Sequence, residues 1–249
     1  LRQIPPIIAL CEDINLICPD AVVFNFSNPM QRICHAVTTK FPDLRFIGLC
    51  HEIKSMNRQL PDLMETEMQN IEFRAAGLNH LSILLEARYK NTGKDGYPII
   101  KQNFDAYFSD LVNKHDAKPS KPGAERGVFR KLFKTYGYLP ITTDSHLGEY
   151  IQWAYSVADH DAILDFYDNY KEKCLAFYDN KTSYDHFFDL KNLDTHERVV
   201  PIIEGILSDS AYEEPAINIP NNGYIECLPK DIVVAVSYTH LTLPTMELV

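Results

Sequence analysis

The strongest constraint on the fold is the order helix, strand, loop, helix, strand at the start of the chain. Ile4 to Cys18 carries apolar side chains at Ile7, Ile8, Leu10, Cys11, Ile14, Leu16 and Ile17, the spacing of a helix packed on one face, and Pro19-Asp20 ends it. Ala21 to Phe26 (AVVFNF) is a β-branched and aromatic run broken by Ser27-Asn28-Pro29. Met30 to Lys40 reads as the next helix, and Leu44 to Leu49 (LRFIGL) as a second strand ending at Cys50-His51. This alternation belongs to a parallel α/β sheet. Such sheets collect ligands beyond the carboxyl ends of their strands, where Asn28 and Cys50 both fall.

Further along, Glu65 to Arg74 reads as a polar helical stretch, followed by Ala75 to Ala87 (AAGLNHLSILLEA) and an extended run up to Pro98. Lys118 to Gly123 (KPSKPG) is a loop or linker. Helices are expected over Arg126 to Tyr136, Glu149 to Cys174 and Thr195 to Asp209, with Pro201 at a kink or in the first turn of the last. Pro215 to Val234 is short, β-like and rich in turn residues. Position 1 is Leu and the apolar pattern starts at once, so the chain is expected to begin inside a domain. At the other end Val236 to Thr245 (VSYTHLTLPT) resembles a reading frame of a sequencing-library adapter, so residues 236–249 are expected to be a fusion scar.

Composition excludes several classes. A formal charge of −10 offers little to nucleic-acid phosphates, and no apolar run approaches the ~20 residues that a membrane-crossing helix needs. Six cysteines in 249 residues are too sparse for a disulfide scaffold, which points to reduced thiols in a cytoplasm.

Cys50 at a strand end and His80 after Asn79 supply a thiolate and an imidazole for one divalent metal; two ligands suit an open, catalytic site better than a structural one. A buried free cysteine and a histidine satisfied by a backbone carbonyl would account for the same residues. Asn28 is placed to bond a sugar hydroxyl or a nicotinamide ribose, or to form an Asx turn. Tyr136-Gly137-Tyr138 and Thr142-Thr143-Asp144-Ser145-His146 form a dense polar and aromatic cluster. A tyrosine there could serve as a base if a nearby cation lowered its pKa, or could simply pack around a turn.

Taken together, IPPIIALCEDINLICPDAVVFNFSNPM, FIGLCHE, AGLNH and YGYLPITTDSHLGEYIQWA resemble family 4 glycoside hydrolases over roughly residues 1 to 235. The resemblance implies an α/β chain: part of a Rossmann-like domain of lactate/malate dehydrogenase type over 1–55, then a mixed α+β catalytic and oligomerisation domain over 56–235. It implies NAD and Mn2+ as cofactors, Cys50 and His80 as metal ligands, Asn28, Asn79 and His146 as sugar contacts, and Asn25 with Asn28 toward the cofactor. The family's tyrosine base falls at Tyr136 or Tyr138, with Tyr136 preferred. His51, a further catalytic candidate, stands where phosphoglycoside-specific members have an aspartate acting as acid, which implies a non-phosphorylated hexoside, an α-glucoside or α-galactoside, with the anomer left open.

The implied chemistry is oxidation at C3 by NAD, removal of the C2 proton by a tyrosinate, elimination of the aglycone, addition of water and re-reduction. The glycine-rich turn that cradles a dinucleotide pyrophosphate is missing from this sequence, so the chain by itself is expected to be inactive. The alternatives are an oxidoreductase of lactate/malate dehydrogenase type and a non-catalytic binding or assembly module. A homo-oligomer with a small carbohydrate substrate, without nucleic acid or membrane, completes the expectation.

Overall fold

The computed structural model describes residues 2–114, 127–158, 160–179, 198–210 and 212–238. Helix α1 (Ile4–Ile17) leads into strand β1 (Val22–Asn25), helix α2 (Met30–Lys40) and strand β2 (Arg45–Gly48), the order expected from the sequence. β1 and β2 pair in parallel, Val22 beside Arg45 and Asn25 beside Gly48. Alternation along β2 splits its side chains: Phe46 packs with Cys11, Ile33, Cys34 and Val37 of α1 and α2, whereas Ile47 and Leu49 pack on the opposite face. Gly48 shares the Phe46 face, and its missing side chain lets α2 press against the strand.

The remaining strands are antiparallel: β3 (Ile71–Leu78), β4 (Leu81–Tyr89), β5 (Glu214–Pro220) and β6 (Val233–Tyr238) complete one sheet in the order β1-β2-β5-β6-β3-β4. Here the sheet departs from the sequence reading. Residues 71–74 are strand rather than polar helix, because Ile71, Phe73 and Ala75 recur with period two and the preceding helix, α3 (Ser55–Met64), stops at Glu65 in the left-handed region. The sheet runs unbroken across the boundary expected at residue 55. The boundary expected at 236 falls inside β6: Val236 is buried, and Ser237 Oγ donates to Pro215 O at 2.6 Å while accepting from Ala75 N at 2.9 Å. Residues 239–249 lie outside the described residues, as does the expected linker Lys118 to Gly123.

Helices α4 (Tyr97–Lys114), α5 (Gly127–Tyr136) and α6 (Asp144–Tyr150) join α3 against the β3–β4 hairpin, around Leu60, Leu63, Leu84, Ile100, Phe104, Phe108 and Phe129. The single helix expected over Glu149 to Cys174 is broken. Ile151 is extended, a 3-10 turn over Gln152–Ser156 carries Ala154 into the core, and helix α7 runs His160–Asp179. Helix α8 (Val199–Ser208) has Pro201 in its first turn and covers the Ile47 face of the sheet through Ile202.

Candidate functional site

Three chain segments meet beyond the end of β2. The first is Cys50 and the 3-10 turn His51–Lys54. The second is the tight turn Asn79-His80 between β3 and β4, where His80 holds a left-handed φ of 62°. Such a backbone costs a non-glycine residue roughly 1–2 kcal/mol, and here it carries the imidazole to the site. The third is residues 139–146, which lie along the free edge of β4 through Leu84 N–H to Leu139 O (2.8 Å) and Ile141 N–H to Ser82 O (3.0 Å). Ser55 Oγ donates to Ile141 O at 2.7 Å and ties the first segment to the third.

At the junction Cys50 Sγ lies 3.4 Å from His80 Nε2, and Glu52 Oε2 lies 3.8 Å from the same nitrogen. The three donor atoms all lie within 4.8 Å of one another. The His146 ring stacks on His80 with centroids 3.9 Å apart, and Glu149 Oε1 lies 3.4 Å from His146 Nδ1. Burial, with His146 and His51 nearby, lowers the His80 pKa to about 4, so its imidazole is neutral at pH 7 and has a lone pair to offer. Burial pushes the Glu52 carboxyl above its ordinary range, against a hydrogen bond from Thr142 and the nearby His146 and His51.

His80, Asn79 and His146 form one wall of a cavity of about 550 Å³, within the ~300–1,000 Å³ of small-molecule sites. Asn28, Met30, Arg32 and His35 at the start of α2 form another, and Glu149, Tyr150, Ile232 and Val233 close the sides. Asn28 Oδ1 accepts from Met30 N at 3.3 Å, an Asx turn, so its amide Nδ2 is the atom available to a ligand.

The structure therefore brings together Cys50, His80, Asn79, His146 and Asn28. It does not bring the others. Asn25 is buried, its amide spent on Ser27 O (3.1 Å) and Met30 Sδ (3.1 Å), which leaves it a loop-holding residue. His51 is exposed and lines a separate small space behind Cys50 with Arg198 and Glu214. Tyr136 is 68% exposed and Tyr138 packs its ring edge-on to Tyr97; neither lines the cavity, because Gly137, with a left-handed φ of 76°, ends α5 before the chain turns to the site. Among the described residues, the phenol on the cavity wall is Tyr150.

Sequence reasoning missed Glu52, Arg32, His35 and Tyr150. A carboxylate two residues beyond the candidate metal cysteine was the available signal for the first; α2 periodicity from the Asn28 turn was the signal for Arg32 and His35.

Comparison with known proteins settles the lineage. The family description "Family 4 glycosyl hydrolase" matches residues 1–66, and "Family 4 glycosyl hydrolase C-terminal domain" matches residues 75–239. The chain belongs to glycosyl hydrolase family 4. It is 44% identical over 261 residues to an alpha-glucosidase of Erwinia rhapontici, covering 95% of this chain and 55% of that protein. It is 30% identical to an alpha-galactosidase of Bacillus subtilis, covering 95% and 53%. A solved 6-phospho-alpha-glucosidase from gut microorganisms, in complex with NAD and Mn2+, shares the fold with a TM-score of 0.69 at 19% identity, over 95% of this chain and 55% of that one. The family's fold class, expected from the sequence, holds for this chain, which spans about half the length of these relatives.

Proposed function

We propose that this chain is the metal- and sugar-binding part of an NAD- and Mn2+-dependent glycosidase acting on a non-phosphorylated α-glucoside or α-galactoside. The observation that carries the reading is the meeting of Cys50 Sγ and His80 Nε2, 3.4 Å apart, beside a cavity lined by amides and imidazoles. The 44% and 30% identical relatives, named for glucosides and galactosides without a phosphate, support the substrate class. The solved relative with NAD and Mn2+ supports the cofactor pair.

The donors fit a divalent cation: a thiol, a carboxylate and an imidazole kept neutral by its surroundings. Bound here, the cation would act as a Lewis acid on substrate oxygens. Asn28 Nδ2 and Asn79 would donate to sugar hydroxyls, and the His146 ring fixes the plane of His80. Met30, Ile232 and Val233 supply apolar wall that keeps water from the ring face. For the dinucleotide the fit fails: no residue set in this sequence forms a glycine-rich pyrophosphate cradle. A cytoplasmic homo-oligomer completes the proposal, supported by six cysteines that form no disulfide and by the exposed Val200, Ile203 and Leu207 on α8. Among the described residues no helix is long and apolar enough to cross a membrane.

The test is hydrolysis of aryl α- and β-glucosides and galactosides by the full-length protein that contains this chain, with NAD and Mn2+ each present or omitted. Release of aglycone only with both is expected. Turnover indifferent to both, or net accumulation of NADH, would refute the reading, and the second result would favour an oxidoreductase.

A further inference from the structure

We propose that Glu52 is a third protein ligand of the divalent cation and that Thr142 is the residue that positions it. The inference rests on the metal reading above and goes beyond the cysteine–histidine pair. Its basis is which nitrogen of His80 the carboxylate faces. A carboxylate that only orients a metal-binding imidazole takes the N–H on the far side of the ring. Glu52 instead faces Nε2, at 3.8 Å, the same nitrogen that faces Cys50 Sγ at 3.4 Å. Sulfur, nitrogen and oxygen thus surround one point. Ligand bonds of ~2.0–2.3 Å put neighbouring donors about 3–4 Å apart, and the two separations from Nε2 already fall in that range, with all three donors within 4.8 Å.

The second oxygen of Glu52 is accounted for. Thr142 Oγ1 donates to Oε1, which leaves Oε2 turned toward His80. Thr142 is fully buried, and its neighbour Ile141 is pinned by Ser82 and Ser55, so the donor is fixed from two elements. The Cys50 thiol and the Glu52 carboxyl both sit largely out of water, and a divalent cation held between them would compensate the charge of the deprotonated donors. An S, N, O set also differs from an all-thiolate site: the hard carboxylate favours manganese over softer competitors.

The test uses the metal-free full-length protein that contains this chain, titrated with Mn2+ while free Mn2+ is read by electron paramagnetic resonance. Wild type, Glu52→Gln and Thr142→Val are compared, with circular dichroism to establish that each is folded. The expected result is an affinity loss on the order of 100-fold for Glu52→Gln and about tenfold for Thr142→Val, the range that supporting groups command at metal sites. Saturating Co2+ should still give the sulfur-to-cobalt absorption in Glu52→Gln, because Cys50 and His80 remain. If wild type binds Mn2+ and Glu52→Gln binds it within about twofold as well, the assignment of Glu52 is overturned while the cysteine–histidine site stands. If wild type binds neither Mn2+ nor Co2+, both readings fail.

Discussion

Replacing Gly48 by alanine tests how the sheet presents the site. A Cβ at Gly48 would lie 2.6 Å from Cys34 Sγ, 2.7 Å from Met30 Sδ and 2.9 Å from Asn218 Cβ. All three neighbours are at least 97% buried, and they belong to α2 on one side and β5 on the other, so none can swing into solvent. Ordinary contacts begin near 3.4 Å, which requires α2 or β5 to retreat by most of an ångström. Overpacking of this kind costs about 1–3 kcal/mol, and more where several rigid neighbours collide. Against it stand roughly 0.8 kcal/mol for the buried methyl and about 0.5–1 kcal/mol for the reduced freedom of the unfolded chain. At the upper end of that range we expect a net loss of about 1.5 kcal/mol, which at a urea m-value of about 3 kcal/mol/M lowers the midpoint by roughly 0.5 M. Adding Cys34→Ala should restore part of the loss, giving a coupling of at least about 1 kcal/mol in the double-mutant cycle. A midpoint unchanged for Gly48→Ala, or strict additivity with Cys34→Ala, would refute the argument that this close approach sets the position of β2 and of Cys50 beyond it.

Other consequences are testable with simple readouts. Burial pushes the Cys34 thiol up to about 12, so its thiolate is on the order of a thousandth or less at pH 8.5; iodoacetamide should modify exposed Cys18 and Cys227 and spare Cys34 until the chain unfolds or the pH nears that value, as mass mapping would show. Asp144 accepts from the backbone N–H groups of Val128 and Phe129 at 3.0 and 2.9 Å, so Asp144→Ala should destabilise by about 2 kcal/mol, visible as a lower Tm. In the full-length protein Tyr136→Phe and Tyr138→Phe should keep kcat/KM within about threefold, whereas Tyr150→Phe should lower it by at least tenfold; the opposite ranking would return the base to the sequence-derived pair. Breaking the ion pair of Arg198 with buried Glu214 (3.0 Å) by Glu214→Ala should cost more than the same change at exposed Glu12, measured by urea unfolding.

The first four elements were legible because each is specified locally. The β-branched run before Ser27, the proline break and the Met30 to Lys40 helix are short-range signals, and the structure follows them to within a residue or two. The pairing of Cys50 with His80 was legible from a strand end and from the family resemblance, and the two side chains do meet. The rest depended on contacts far apart in sequence. The Val236 to Tyr238 stretch has strand-forming composition, yet only its pairing with β3 and β5 reveals that it belongs to the sheet. Glu52 stood in plain view after Cys50 and His51, but the residue that aims it, Thr142, is 90 positions away. Tyr136 and Tyr138, either side of a left-handed glycine at 137, stand off the cavity wall, a placement that local sequence does not specify.

The place of β5 and β6 bears on how such a chain acquires its site during synthesis. Cys50 follows β2 and His80 follows β3, yet in the sheet these two strands are separated by β5 and β6, which leave the ribosome after both. Gly48 must wait for Asn218, and Ala76 for Val236, separations of some 160 to 170 residues. Closing loops of that length makes assembly slow, and the early strands spend the interval with open edges. A nascent chain halted before β6 would carry both halves of the metal pair on unlinked pieces, so cation capture should report that translation has passed Tyr238.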